Sequence, residues 1–299
     1  MIRILEVGPR DGLQNEATPI PTPVKRRFIE RLAASGLQEI EATSFVSPKW
    51  VPQLADAADL WPQLPNGPRC SALVPNAKGL ERALACGVRA IAVFTAASEA
   101  FTERNINTTI AGSLDAFREL VPKFRQAVPD GWVRGYVSTA FECPYAGRVE
   151  PGATVRVARA LLDLGCDEVS LGDTIGVAVP AEVRVLTQAV SAEIGIDKIA
   201  YHFHDTRGTA VANVAEALES GVRAFDASAG GLGGCPYAPG AGGNLATEDL
   251  VYFLERSGIA TGVDLQLLAQ ASLEVLDTLG RSPAAKAQQA ALAAASPPR

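Results

Sequence analysis

Four times along this 299-residue chain a glycine closes an amphipathic stretch and opens a short run of alternating apolar residues. The four segments are Gly36-Leu-Gln-Glu-Ile-Glu-Ala, Gly87-Val-Arg-Ala-Ile-Ala-Val, Gly165-Cys-Asp-Glu-Val-Ser-Leu and Gly221-Val-Arg-Ala-Phe-Asp-Ala. Glycine is the residue that ends a helix in a left-handed conformation, so each segment reads as a helix C-terminus turning into an inward strand. The glycines are 51, 78 and 56 residues apart, close to two, three and two units of about 25–28 residues, the strand-plus-helix period of an eight-fold barrel of about 250 residues. Strands are expected near 2–7, 38–43, 69–74, 89–94, 132–138, 167–172, 198–203 and 223–227. That places the chain in the α/β class as a (β/α)8 TIM barrel over 1–263. A C-terminal extension over 264–299 is expected to start as a packed helix (Leu265 to Leu279) and to fray through the Ala/Gln-rich stretch Ala284 to Ala295. The competing layout is an open doubly wound sheet. It is disfavoured because no G-x-G-x-x-G leads from a strand into a helix.

Composition narrows the partners. With 47% apolar and 20% charged residues the chain can bury a large core, and disorder is excluded. A formal charge of −6, with 27 basic residues scattered along the chain, leaves no footprint for nucleic acid or an anionic membrane. A small molecule is the expected partner. No 18-residue apolar run is present, and Ile2 to Val7 alternate like a strand rather than a targeting segment, so a cytoplasmic location is expected. Five widely spaced cysteines, at 70, 86, 143, 166 and 235, argue for reduced thiols rather than a disulfide framework.

In a parallel barrel the chemistry belongs at the C-terminal ends of the strands. The polar residues breaking the apolar pattern there are Arg10, Asp11 and Glu16 after strand one, Glu41 on strand two, and Ser170 and Asp173 on strand six. Strand seven ends His202-Phe203-His204-Asp205, which holds the only two histidines. Side chains at i and i+2 of a strand share a face, so the two imidazoles converge on one point. A hydrogen-bonded histidine pair is the plainer alternative. It is weakened by the carboxylates on the facing strand ends, which need a charge partner. Two imidazoles, one carboxylate and open oxygen positions suit an octahedral Mg2+ or Mn2+, and Co2+ or Zn2+ are compatible with the same donors. The last loop, Ala227 to Asn244, is rich in glycine and carries one thiol, Cys235, at its tip. It is expected to close backbone against a ligand, with Cys235 as an acid/base candidate. Cys70, Cys86 and Cys166 sit in apolar company and read as structural; Cys143 is open.

The segments VGPRDGLQNE (Val7 to Glu16), TSFVSPKWVP (Thr43 to Pro52), Asn105-Ile106-Asn107, RGYVS (Arg134 to Ser138), SLGDTIG (Ser170 to Gly176), HFHDT (His202 to Thr206) and GLGGCPY (Gly231 to Tyr237), continuing to Gly243-Asn244 and Glu248, run in order along nearly the whole chain. Together they resemble the hydroxymethylglutaryl-CoA lyases, within a wider family of metal-dependent barrel lyases and synthases. The resemblance implies cleavage of 3-hydroxy-3-methylglutaryl-CoA to acetyl-CoA and acetoacetate by a homodimeric enzyme that takes an acyl-CoA substrate and a divalent cation, Mg2+ or Mn2+. It implies Asp11, His202, His204 and Asn244 as metal ligands and Arg10, Glu41, Asp173, Cys235 and Glu248 as the catalytic polar set. Arg10, Gln14, Asn107 and Ser170 are implied at the substrate. Links to leucine breakdown and ketone-body formation are implied in the same way.

The chemistry is consistent with that set. Breaking C2–C3 of a tertiary alcohol requires removal of the 3-hydroxyl proton while negative charge moves onto a thioester enolate. Arg10 is placed to stabilise the enolate oxygen, with proton transfer assigned to Asp173 or Glu41 on one side and Cys235 on the other. The chain departs from some members at Ala17, Glu142 and Arg207, which leaves a longer 3-hydroxy-3-alkylglutaryl-CoA as an alternative. A Claisen-type synthase is a rival, but such chains open with threonine-leucine before arginine-aspartate, where this one has Gly8-Pro9. An aldolase or carboxyl-transfer domain and a non-catalytic metal-binding scaffold complete the alternatives.

Overall fold

The computed structural model describes residues 2–234 and 243–295. Eight parallel strands close into a barrel in the order in which they occur along the chain. They are β1 (Arg3–Glu6), β2 (Glu39–Ser44), β3 (Arg69–Leu73), β4 (Ala90–Ala96), β5 (Trp132–Ser138), β6 (Glu168–Asp173), β7 (Ile199–Phe203) and β8 (Ala224–Ala227). Pairing of Arg3 with Ala224 and of Leu5 with Glu39 joins β1 to both β8 and β2, so no edge remains. The open-sheet alternative is thereby excluded.

The expected helix ends form as read. Gly36, Gly87, Gly165 and Gly221 have φ of +101°, +77°, +98° and +100°, a region in which a side chain is strained. The covering helices are α1 (Thr22–Ala34), α2 (Ala77–Ala85), α3 (Ile110–Ala127), α4 (Pro151–Asp163), α5 (Pro180–Ile194), α6 (Ala210–Glu219) and α7 (Thr247–Arg256). Between β2 and β3 the connection has a four-residue α-helix, Ala57–Leu60, flanked by 3-10 turns at Pro52–Leu54 and Trp61–Gln63. Among the described residues no helix is long and apolar enough to cross a membrane.

Strand periodicity divides the core in two. Outward residues such as Ile40, Val133, Val169, Leu171, Tyr201 and Phe225 join the helices in one apolar cluster. The inward residues of the same strands include Glu39, Glu41, Arg134, Tyr136, Glu168, Ser170, His202 and Asp226, whose polar atoms pair across the barrel. Arg3 bridges Glu39 and Glu168 at the N-terminal end. Arg134 joins Glu168 at 3.2 Å to Asp226 at 2.7 Å one layer higher.

The tail differs from expectation. Helices α8 (Leu265–Ala271) and α9 (Leu273–Thr278) pack against α1, but the stretch expected to fray forms a further helix, α10 (Lys286–Ala295). Its Ala287 and Ala291 are buried. The wholly buried Gln288 donates through Nε2 to Ala269 O at 2.9 Å and to Ser272 Oγ at 2.8 Å. The Ala287 N–H is capped by the Asp249 carboxylate. Alanine's high helix propensity, a buried face and a cap outweigh the low complexity of the stretch.

Candidate metal centre and active site

After β1 the backbone makes a single wide turn, Gly8–Gly12, in which the N–H groups of Arg10, Asp11 and Gly12 all point to Val7 O. Such π-type turns are uncommon and concentrate at functional sites. Here the turn directs Arg10 and Asp11 into the barrel mouth from consecutive positions. Gly12 is required by close approach, since a Cβ there would lie 2.8 Å from Ser228 Oγ and 3.0 Å from Leu232 Cβ.

Opposite this turn, His202 is the penultimate residue of β7 and His204 lies just past the strand's end. Ligand atoms of Asp11, His202 and His204 all lie within 4.8 Å of one another. His202 Nδ1 lies 3.2 Å from Asp226 Oδ2, and its Nε2 is 3.9 Å from Asp11 Oδ2. An acceptor at Nδ1 holds the ring proton there and leaves the Nε2 lone pair facing the cluster. Ser170 Oγ donates to the same Asp226 oxygen at 2.9 Å. Arg134 balances the other oxygen of Asp226.

Asn244 completes the ring. Its Nδ2 donates to Asp11 Oδ2 at 3.0 Å and to Leu232 O at 3.1 Å. Its Oδ1, like His204 Nδ1, is buried without a hydrogen-bond partner among the described residues. Unpartnered buried acceptors beside an ionised carboxylate fit a bound cation. Burial opposes ionisation of Asp11, but Arg10, His202 and His204 hold its carboxyl down to about 2. Burial, reinforced by His202, pushes His204 down to about 4, so it is neutral at pH 7 and its lone pair is free. Burial works against the His202 imidazolium, yet Asp226 and Asp11 raise its pKa, a field that favours positive charge at that spot. The donor set of two imidazole nitrogens, a carboxylate and an amide oxygen fits a divalent cation.

Around this cluster the expected polar residues take distinct places. Arg10 is buried and forked, with Nη1 2.7 Å from Asp11 Oδ1 and Nη2 2.9 Å from Glu41 Oε2. Tyr136 OH donates to that same Glu41 oxygen at 2.6 Å. Glu41 therefore locks Arg10 in place while its Oε1 stays free of partners among the described residues. Asp173 ends β6, and its two oxygens accept the Val177 and Ala178 N–H groups at 3.0 and 3.1 Å. Burial raises its pKa to about 6. Arg207 Nη1 reaches back to Ile175 O and Gly176 O, tying this turn to the loop after β7.

Glu248 lies one layer away, in the first turn of α7. Both its oxygens are 2.9 Å from the Gly230 N–H, and burial pushes it up to about 8. Ser170 meets Asp226, the carboxylate behind His202. Gln14 is half-buried three residues past Asp11, and Asn107 is exposed at the left-handed end of helix Glu99–Ile106, with φ +53°. Cys235 lies outside the described residues. The segment that carries it is entered and left through a tight crossing: a Cβ on Gly243 would meet Gly233 O at 2.1 Å, so only glycine fits. Cys70, Cys86, Cys143 and Cys166 are free thiols. Burial raises Cys70 to about 11 and Cys166 to about 12. A cleft of about 800 Å³ does exist, but at the opposite pole among strand starts such as Arg69 and Trp132, away from this chemistry.

Asp226, Arg134 and Tyr136 have no place in the sequence reading of the site. Their signal is present in the alternation: each is a polar residue at an inward position of its strand, and Arg134 and Tyr136 fall inside a segment singled out for resemblance. Nothing local says which histidine Asp226 would meet.

A bovine mitochondrial hydroxymethylglutaryl-CoA lyase is 49% identical over 97% of this chain and 89% of its own length. A Pseudomonas aeruginosa protein described as a 3-hydroxy-3-isohexenylglutaryl-CoA/hydroxy-methylglutaryl-CoA lyase is 49% identical over 98% of both chains. The crystal structure of a hydroxymethylglutaryl-CoA lyase from Pseudomonas aeruginosa superposes with a TM-score of 0.95, at 49% identity and 98% coverage of both chains. The HMGL-like family model matches residues 1–275, a span that holds the turn bearing Asp11, the histidines of β7 and Asn244, and the chain belongs to the HMGL-like family.

Proposed function

We propose that this chain is a carbon–carbon lyase that cleaves 3-hydroxy-3-methylglutaryl-CoA to acetyl-CoA and acetoacetate with a divalent cation, Mg2+ or Mn2+. The observation that carries the reading is the convergence of Asp11, His202 and His204 within 4.8 Å at the C-terminal mouth, with the Arg10 guanidinium locked beside them. Asp11, His202, His204 and Asn244 would hold the cation. When bound, it supplies positive charge that lowers the pKa of a substrate hydroxyl.

The protein residues divide the remaining work. Asp173, with its pKa raised to about 6, is ionised at neutral pH yet basic enough to take the 3-hydroxyl proton. As that proton leaves, the C2–C3 bond breaks, C3 becomes the ketone of acetoacetate, and the electron pair forms the thioester enolate. Arg10 faces the developing enolate oxygen, held in register by Glu41 and Tyr136. Cys235 is assigned as the acid that protonates C2 to give acetyl-CoA. Glu248 supports the loop leading toward Cys235 by holding Gly230. Gln14, Asn107 and Ser170 belong to this reading as substrate-side residues, Ser170 acting through Asp226. The free thiols fit a reducing compartment such as the cytosol.

A second substrate has a specific observation behind it. The Pseudomonas aeruginosa relative is described for both the isohexenyl and the methyl substrate. The test is a spectrophotometric assay of chelator-treated protein with each thioester, with and without added Mg2+ or Mn2+. Metal-dependent release of acetyl-CoA and acetoacetate in equal amounts from the methyl substrate is expected. No turnover of either ester by protein that binds metal would sink the lyase reading, and cleavage of the isohexenyl ester alone would replace the substrate. Cys235→Ala that kept wild-type turnover under reducing conditions would remove that residue from the mechanism.

A further inference from the structure

Glu6 breaks the rule that the outward face of each strand is apolar. It ends β1 in step with Ile2 and Ile4, both part of the apolar cluster, and it is fully buried. Its Oε1 accepts the N–H of Gly8 at 2.7 Å and of Ala229 at 2.9 Å, and its Oε2 accepts the Thr247 hydroxyl at 2.6 Å. Each donor opens a different segment of the site. Gly8 begins the turn that carries Arg10 and Asp11; Ala229 begins the turn that runs toward Gly233; Thr247 begins α7, three residues after Asn244. The fit is close: a Cβ on Gly8 would lie 2.5 Å from Glu6 Oε1. Asp11 and Asn244, which hydrogen-bond each other at 3.0 Å, arrive from chain segments 233 residues apart. The Asn244 segment is bridged to His204 just past β7 and, through Ala246, to Ser228, whereas the Asp11 turn folds back onto Val7 O. The Glu6 carboxylate joins the start of that turn to Ala229 and Thr247 on the other side.

We propose that Glu6 is a positioning residue that clamps the Asp11 turn, the loop after β8 and the start of α7 to one carboxylate, and so sets the spacing of Asp11 and Asn244 for a divalent cation. This rests on the metal reading above. Its discriminating feature is geometric. A glutamine side chain can keep Oε1 on the two N–H groups and turn Nε2 to Thr247 Oγ, which accepts as readily as it donates. An alanine leaves two buried N–H groups and a hydroxyl without partners.

The test is Mn2+ binding to chelator-stripped protein, followed by electron paramagnetic resonance of free Mn2+ without substrate, with folding checked by circular dichroism and thermal melting. Glu6→Ala should weaken Mn2+ about tenfold or more, the lower range for residues that orient metal ligands. Glu6→Gln should stay within about threefold of wild type, because the expected rewiring keeps all three contacts. A folded Glu6→Ala with the wild-type Kd, or a Glu6→Gln as weak as the alanine, overturns the clamp. Should Glu6→Ala fail to fold, Thr247→Val, which removes a single donor, decides: a weakened Kd supports the clamp and an unchanged one overturns it. Because no substrate is present, a wild type that cleaves no 3-hydroxy-3-methylglutaryl-CoA fails the proposed reaction and leaves these ratios to judge Glu6.

Discussion

The two faces of the barrel wall are built from the same strands and could hardly differ more. Outside, Val169, Leu171, Tyr201, Phe203 and Phe225 pack against helices in one apolar cluster. Inside, Arg3, Arg134 and Arg10 are stacked along the axis, each between carboxylates: Glu39 and Glu168, then Glu168 and Asp226, then Glu41 and Asp11. Leu73, Ala92 and Tyr136 form only a small separate cluster. The apolar face supplies the driving force for folding, since burying a large side chain contributes roughly 1.5–3 kcal/mol. The charged face supplies little net stability, because desolvation cancels most of the attraction. What it does supply is orientation: the column ends in Arg10, Asp11 and His202, whose positions are set by the pairs beneath.

If that division holds, removing one member of the column should cost most of all. Arg134→Met leaves Asp226 and Glu168 buried without their shared cation, and a loss of about 3–5 kcal/mol is expected in urea unfolding. A loss under 1 kcal/mol would mean that the inner charges are not held as pairs.

On the outer face, Leu161→Ala removes packing against Gly135 and should cost about 2–5 kcal/mol. Its Mn2+ affinity should be unchanged in the folded protein. Asp226→Asn should do the reverse, weakening Mn2+ binding about 10–100-fold through His202 with a smaller change in stability. If the two variants moved affinity equally, the faces would not be separable in function.

The smallest expected effect is in pH dependence. Burial raises Glu6 to about 7 and Glu248 to about 8, both on the outer side, whereas Asp11 inside is held down to about 2. A raised carboxyl binds its proton more tightly in the folded state, so its contribution is complete below the unfolded value and is lost as pH rises through the folded one. The metal-free melting temperature should therefore fall between about pH 5 and 8. Glu248→Gln should flatten that slope. Asp11 contributes oppositely, with stability present at neutral pH and lost only as pH falls below the ordinary aspartate range toward 2. A rising melting temperature over the same window would refute the assignment of the outer carboxyls.

Much of this division can be read along the chain. Glu168-Val169-Ser170-Leu171 and Arg134 to Ser138 alternate with period two, and the four glycines punctuate the helices at the barrel's spacing. The histidine pair is legible for the same reason, as a repeat of two places both rings on one face. Less legible is the tail: the Ala/Gln-rich stretch looks like a fraying end until Gln288 is seen between Ala269 and Ser272. Cys235 is legible as a candidate from its glycine-rich loop and lies outside the described residues.

The sequence by itself determined the elements, their order and which side of each strand faces inward, because those depend on periodicity over a few residues. Only the tertiary structure decided that Asp226 stands behind His202, that Asn244 meets Asp11, and that Glu6 holds Gly8, Ala229 and Thr247. The reason is distance along the chain. Ser170 and Asp226 are 56 residues apart, and Glu6 and Ala229 are 223. No local pattern encodes a hydrogen bond whose donor arrives only when the barrel closes.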